Sequence, residues 1–219
     1  MGEIAGARAE LDRLGRSLRA QTVELVTELT PGADLDLLFL DEPTVSDRHE
    51  PVKYRYSTDF RGERPPGVEA ADLVLRGAEM LSAAGWTVTA SPADVVPGSI
   101  GTKDGSTIEI RATTAHPSVL FSVRTREMSL TEPRVFEWPT PVRTAETVDP
   151  GYVLCYECDG LGRCPECGGR GWLPDEEQGR ITCPECLGEK VCPICRDAGQ
   201  LLISRLQTFQ RGYYPDLPK

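Results

Sequence analysis

Every cysteine of the chain lies between Cys155 and Cys195, and the eight form four Cys-x-x-Cys pairs: Cys155/Cys158, Cys164/Cys167, Cys183/Cys186 and Cys192/Cys195. Such a pair sets two sulfurs on one tight turn, aimed at a common point. One pair is a weak signal, since a redox motif or chance also produces it. Four at regular intervals commit the segment to two four-sulfur sites, the ligand set that suits tetrahedral zinc.

Spacing narrows the pairing. Five residues separate the first two pairs, fifteen the middle two and five the last two. A tandem pairing closes each site over only five residues, which is tight for two turns facing one ion. A nested pairing gives one ion Cys164, Cys167, Cys183 and Cys186, and the other Cys155, Cys158, Cys192 and Cys195. Its inner unit reads C-x2-C-x15-C-x2-C, a zinc-site spacing. The equal arms let the outer turns meet in register, as across a hairpin. Spacing therefore favours nesting, with a crossed pairing as the alternative. Within the inner loop, residues 171–174 run out, 175–179 turn and 180–182 return, as a hairpin requires. Glycines follow the cysteines (Gly160, Gly162, Gly168, Gly169, Gly171, Gly188 and Gly199), where turns use positive φ. Pro165, Pro184 and Pro193 each follow a first cysteine, where a fixed φ suits a turn.

Cys155-Tyr156-Glu157-Cys158-Asp159-Gly160-Leu161-Gly162 resembles the CxxCxGxG repeat of the DnaJ-type zinc-finger domain, and so does Cys164-Pro165-Glu166-Cys167-Gly168-Gly169-Arg170-Gly171. The third repeat has Lys190 for the last glycine and the fourth has Asp197 for the first. The resemblance covers residues 151–200. It implies two zinc ions, repeats one and four sharing one and repeats two and three the other. It also implies a protein-binding module, sometimes with thiol chemistry. The rest of the DnaJ architecture is not visible. The nearest match to the J-domain tripeptide His-Pro-Asp is His116-Pro117-Ser118, and no Gly/Phe-rich linker follows it. Stimulation of an ATP-driven chaperone is accordingly not expected.

A chain of 219 residues suits one or two domains. The cysteine-rich segment buries little apolar surface, so metal must hold it together. The formal net charge is −10. Between residues 151 and 199 nine side chains are acidic and five basic. Two Zn2+ on eight thiolates add further negative charge. A phosphate backbone would be repelled, so nucleic acid is not an expected partner. There is no signal-peptide pattern at the start, no myristoylation pattern and no apolar run of membrane-spanning length. A cytoplasmic protein is expected, where clustered thiols stay reduced and mean metal rather than disulfides.

Outside the cysteines the pattern is α+β. Residues 7–29 carry Leu11, Leu14, Leu18, Leu25 and Leu29 at helical spacing, and Pro31-Gly32 ends the run. Residues 31–51 read as acidic and irregular, 52–57 as a strand, 61–67 as a loop and 68–84 as a second helix ended by Gly85. Strands follow at 86–90, 107–113 and 118–125, with Lys103-Asp104-Gly105 as a hairpin turn. The expected organisation is an α+β domain over 1–138 (helices on an antiparallel sheet), a Pro-containing linker over 139–150, a DnaJ-like zinc-finger hairpin over 151–200, and a helix and tail over 201–219.

No catalytic residue is expected. Neither His49 nor His116 lies beside a nucleophile or a carboxylate cluster, and phosphate loops and nucleophile elbows are absent. Four-cysteine sites are closed, which marks structural rather than catalytic metal. Asp175-Glu176-Glu177 reads as a solvated hairpin tip, and Trp172 as packing against the hairpin. Tyr213 and Tyr214 read as partner contacts or as a cover for the finger. The leading expectation is a zinc-binding protein-interaction module that holds a protein partner or unfolded client, as a chaperone-like or assembly adaptor. The alternative is a thiol–disulfide or redox-switch protein using its zinc-bound pairs. A nucleic-acid-binding regulator ranks third.

Overall fold

The computed structural model describes residues 2–90, 96–133 and 135–217; Met1 and the last two residues of the expected tail, Pro218 and Lys219, lie outside this set. The chain forms two compact units, Met1–Pro133 and Arg134–Lys219. Both are built from antiparallel sheets, so the α+β class holds.

The first unit opens with helix α1, Ala7–Leu29. Its buried positions Ala7, Leu11, Leu14, Leu18, Thr22, Leu25 and Leu29 recur every three or four residues and make one apolar stripe. Thr22 is the polar member, and its hydroxyl donates to the Leu18 carbonyl at 2.8 Å, so its burial leaves no bond unmade. Strands β1 (Thr44–Asp47) and β2 (Lys53–Arg55) follow, then β3 (Ser57–Glu63), helix α2 (Ala70–Ala83), and β4 (Thr87–Ala90), β5 (Gly98–Lys103), β6 (Ser106–Ala112), β7 (Ser118–Arg124) and β8 (Met128–Ser129). The main sheet has the order β3-β7-β6-β5-β4, and a small one has β1-β2-β8. Strands β4 to β7 meander. The connection through α2 carries the chain from one edge of the sheet to the other.

Both helices cover one face of the main sheet. Along β6 and β7 burial alternates, with Ile108, Ile110, Ala112, Val119, Phe121 and Val123 beneath the helices. Asp59, Arg61, Glu109 and Arg111 point to the other face, away from that core. Helix α2 sits close to the sheet and to α1 at Gly77, where a Cβ would lie 2.6 Å from Ile110 Cδ1 and 3.1 Å from Leu29 Cδ1. The Asp104-Gly105 turn between β5 and β6 has φ of 52° and 75° at its two residues, the left-handed pair a two-residue hairpin needs.

Three expectations need correction in these regions. Residues 61–63 continue β3, because Arg61, Gly62 and Glu63 pair with β7. Residues 44–47 are a strand rather than irregular chain, and Leu38 and Leu40 before them join the core. Residues 201–209 are not one helix: Gln200–Leu202 is strand β12, Ile203–Arg205 a 3-10 turn, and only Thr208–Arg211 is helix α3.

The second unit is organised around one long hairpin, residues 152–202. Strands β9 (Tyr152–Leu154) and β12 pair at its base, and β10 (Trp172–Asp175) and β11 (Gly179–Thr182) at its tip. Between them lies an isolated bridge, Arg163↔Val191. A single register runs from Tyr152↔Leu202 through Arg163↔Val191 to Asp175↔Gly179. The equal five-residue arms preserve it, because each side of the hairpin carries two turns of the same length.

Candidate metal centres

The four Cys-x-x-Cys turns share one backbone conformation. In each, the residues one, two and four places after the second cysteine have positive φ. The twelve positions are Asp159, Gly160 and Gly162; Gly168, Gly169 and Gly171; Leu187, Gly188 and Lys190; Arg196, Asp197 and Gly199. Left-handed backbone penalises any side chain with a Cβ, so glycine fills six of the eight places at the last two positions of the sets. Lys190 (φ 70°) and Asp197 (φ 76°) hold the same shape where the repeats lose glycine. The shape aims backbone at sulfur: Gly162 N, Gly171 N and Gly199 N donate to Cys158, Cys167 and Cys195 Sγ at 3.4, 3.2 and 3.3 Å.

The turns face each other in nested pairs. Cys155, Cys158, Cys192 and Cys195 form one group and Cys164, Cys167, Cys183 and Cys186 the other, with the sulfurs of each group all within 4.8 Å. Each group is nearly two-fold symmetric. Cys155 N donates to Gly199 O while Cys192 N donates to Gly162 O, both at 3.0 Å; likewise Cys164 N donates to Lys190 O and Cys183 N to Gly171 O. Sulfur separations are 3.8 Å for Cys155–Cys192, 3.6 Å for Cys158–Cys195, 3.8 Å for Cys164–Cys183 and 3.7 Å for Cys167–Cys186. An ion with sulfurs at ~2.3 Å in a tetrahedron sets them about 3.8 Å apart, whereas a disulfide needs ~2.05 Å. All eight residues are at most 7 % exposed. Each group could therefore hold one metal ion.

Burial also shapes the thiols. It pushes Cys155 and Cys164 up to about 12 and raises Cys183 and Cys195 as well. At Cys186 burial acts in the same direction. There, backbone N–H groups of Lys190 and Gly188, with the neighbouring thiols, outweigh it and hold the group at about 7. Apart from Cys186, these shifted thiols keep their protons until an ion displaces them.

Segments outside the four turns brace the groups. Within residues 139–150, expected as a linker, Val142, Arg143 and Asp149 pack on the outer group. Val142 N and Arg143 N both donate to Gly160 O, and Asp149 N donates to Gln200 Oε1 at 3.0 Å. A Cβ on Gly160 would lie 2.1 Å from Arg143 O, so glycine is required there for contact as well as for φ. Beside the inner group, Arg170 lies over the rings of Phe136 and Trp172, at 4.2 and 5.0 Å, and Arg180 lies over Trp172 at 4.2 Å. Trp172 thus packs on the hairpin. The C-terminal residues fold back on the first turn. Tyr214 Oη accepts from Tyr156 N at 3.0 Å and donates to Leu154 O at 2.5 Å, while Tyr213 stacks on Tyr156. Burial pushes the Tyr214 hydroxyl up to about 12. Sequence reading missed the bracing role of residues 142–149 and the part played by Tyr156. The signal for Tyr156 was present, since the other three repeats have proline at its place.

The two histidines stand apart from the cysteines in sequence and in partners. His49 is bonded to Asp47 at 2.6 Å and His116 to Ser118 Oγ at 2.8 Å, both in exposed turns. Among the described residues no helix is long and apolar enough to cross a membrane. Comparison with models of known families, with curated proteins and with solved structures found no match.

Proposed function

We propose that each cysteine group binds one Zn2+ as a structural ion, and that the second unit is a DnaJ-type finger without a J-domain. It acts as a protein-interaction module, holding a partner or an unfolded client as a chaperone-like or assembly adaptor in the cytoplasm. The observation that carries the reading is the pair of closed, nearly two-fold sulfur tetrahedra built by four identical turns. Four cysteines complete the coordination of zinc and leave no position for substrate, so the ion's work is to hold shape. The alternative, thiol–disulfide exchange, is disfavoured because the sulfurs are buried and cannot meet another molecule's disulfide without opening the turn. The charge balance disfavours nucleic acid.

The test pairs elemental analysis with a client assay on the full chain. Two zinc ions per chain, with suppression of aggregation of a chemically denatured model protein that is lost on chelation, support the whole reading. Two zinc ions with no suppression at any stoichiometry remove the client-holding part. Fewer than two ions of any metal remove the structural-zinc part.

A further inference from the structure

We propose that the first Cys-x-x-Cys turn is a recognition site for two adjacent tyrosine side chains. At rest the chain's own Tyr213 and Tyr214 fill it, and a partner segment bearing the same pair replaces them. This rests on the reading of the second unit as a protein-interaction module and names what it recognises.

The residue after the first cysteine is proline in three repeats, at Pro165, Pro184 and Pro193, and tyrosine only at Tyr156. Tyr156 supplies two things that proline lacks. Its ring stacks parallel on Tyr213, with centroids 4.3 Å apart and planes 5° from parallel, and meets Tyr214 edge-on at 6.5 Å and 69°. Its backbone N–H donates to Tyr214 Oη at 3.0 Å, and that hydroxyl donates onward to Leu154 O at 2.5 Å. Proline has no N–H to give. The single departure from the repeat thus supplies both ring contacts and the backbone donor, and Leu154 O supplies the acceptor. The Tyr214 hydroxyl is read by one backbone donor and one backbone acceptor, so phenylalanine would leave both without a partner. The bound segment is lightly held. Helix α3 has four residues and none is buried; Phe209 is 62 % and Tyr213 60 % exposed. Arg211 adds a side-chain tie to Ile203 O at 3.2 Å. Segments with so little buried surface open at low cost.

The test uses full-length chains and a fluorescent peptide with the sequence of residues 207–217. Tyr213→Ala/Tyr214→Ala empties the site. That chain is expected to bind the peptide at least about tenfold more tightly than wild type, whose tethered tail competes at high effective concentration. Adding Tyr156→Pro, which restores the residue of the other repeats, should abolish binding with the metal content unchanged. Tyr156→Ala, which keeps the N–H, serves if the proline variant loses metal, and should weaken binding at least about tenfold. A peptide with both tyrosines replaced by phenylalanine should also bind at least about tenfold more weakly. Equal binding with and without Tyr156, or no binding by the emptied chain, overturns the proposal. A wild-type dimer that Tyr156→Pro dissolves would put a second copy's tail in the site and overturn the partner assignment. Failure of peptide binding with client suppression intact sinks only this inference. The reverse outcome sinks only the client-holding function.

Discussion

Lys190 and Asp197 show how a backbone shape outlives the residue type that suits it. Both keep the left-handed conformation that glycine adopts in the equivalent turns. Lys190→Gly removes a steric penalty of about 1–2 kcal/mol but adds about 0.5–1 kcal/mol of backbone entropy cost. The inner group should therefore be unchanged or slightly tighter, whereas Lys190→Val, β-branched at positive φ, should loosen it. Competition with a metallochromic chelator measures both. Gly15 of α1 presents the opposite case, where space rather than φ decides. A Cβ there would lie 2.6 Å from the Tyr56 ring. That ring is 5 % exposed and tied by its hydroxyl to Asp12 at 2.8 Å, so it cannot swing aside. Gly15→Ala gains up to ~1 kcal/mol of helix propensity and loses about 1–3 kcal/mol to overpacking. A net loss is expected, read as a lower urea midpoint for the first unit. At this scale the cysteines were fully legible in sequence, because ligand chemistry fixes residue type. Gly15 and Gly77 were not, since only the packed partner reveals why a helix carries glycine.

Elements with strong local periodicity were legible. The leucine stripe of α1 gave its limits, and Asp104-Gly105 gave its hairpin. Strand β5 was hidden because its buried positions are Ser99 and Gly101, small residues that admit Leu81 and Trp86 rather than an apolar alternation. Residues 201–209 misled for another reason. Leu201 and Leu202 pair with Val153 and Tyr152 to close the base of the hairpin, and that tertiary pairing overrides helical spacing. The nested grouping predicts how paired substitutions act. Cys155→Ser/Cys192→Ser should cost one ion and leave the inner hairpin β10–β11 intact; Cys164→Ser/Cys183→Ser should cost the other and leave β9 and β12 paired. Native mass spectrometry counts the ions and hydrogen exchange locates the loss. Loss of both ions in each variant would break the assignment of separate groups.

In the whole molecule the two units rest on different forces. The first has an apolar core from Leu11 to Val123, and the second has sulfur clusters with, among the described residues, Leu161, Leu201 and Leu173 packed against them. Structural zinc contributes roughly 10–16 kcal/mol of folding energy in finger peptides. Chelation should therefore unfold Arg134–Lys219 and leave Met1–Pro133 folded, which hydrogen exchange by segment would resolve. The metal-loaded unit needs thiolates, so it should lose stability as pH falls and protons compete with the ion for sulfur, while the first unit, which holds no cysteine, should not share that loss. Thermal melts of the loaded chain at pH 5, 7 and 9 check this. The single register of the long hairpin has a mechanical consequence. Both ends of its hairpin leave at the base, so a pull on the chain there loads the structure rung by rung, as a zip is loaded, rather than all rungs together in shear. The outer sulfur group takes the first tension and the inner group takes none until the outer has yielded. A machine that threads this chain from its C-terminus would meet two resistances in series within the second unit, in the fixed order outer then inner.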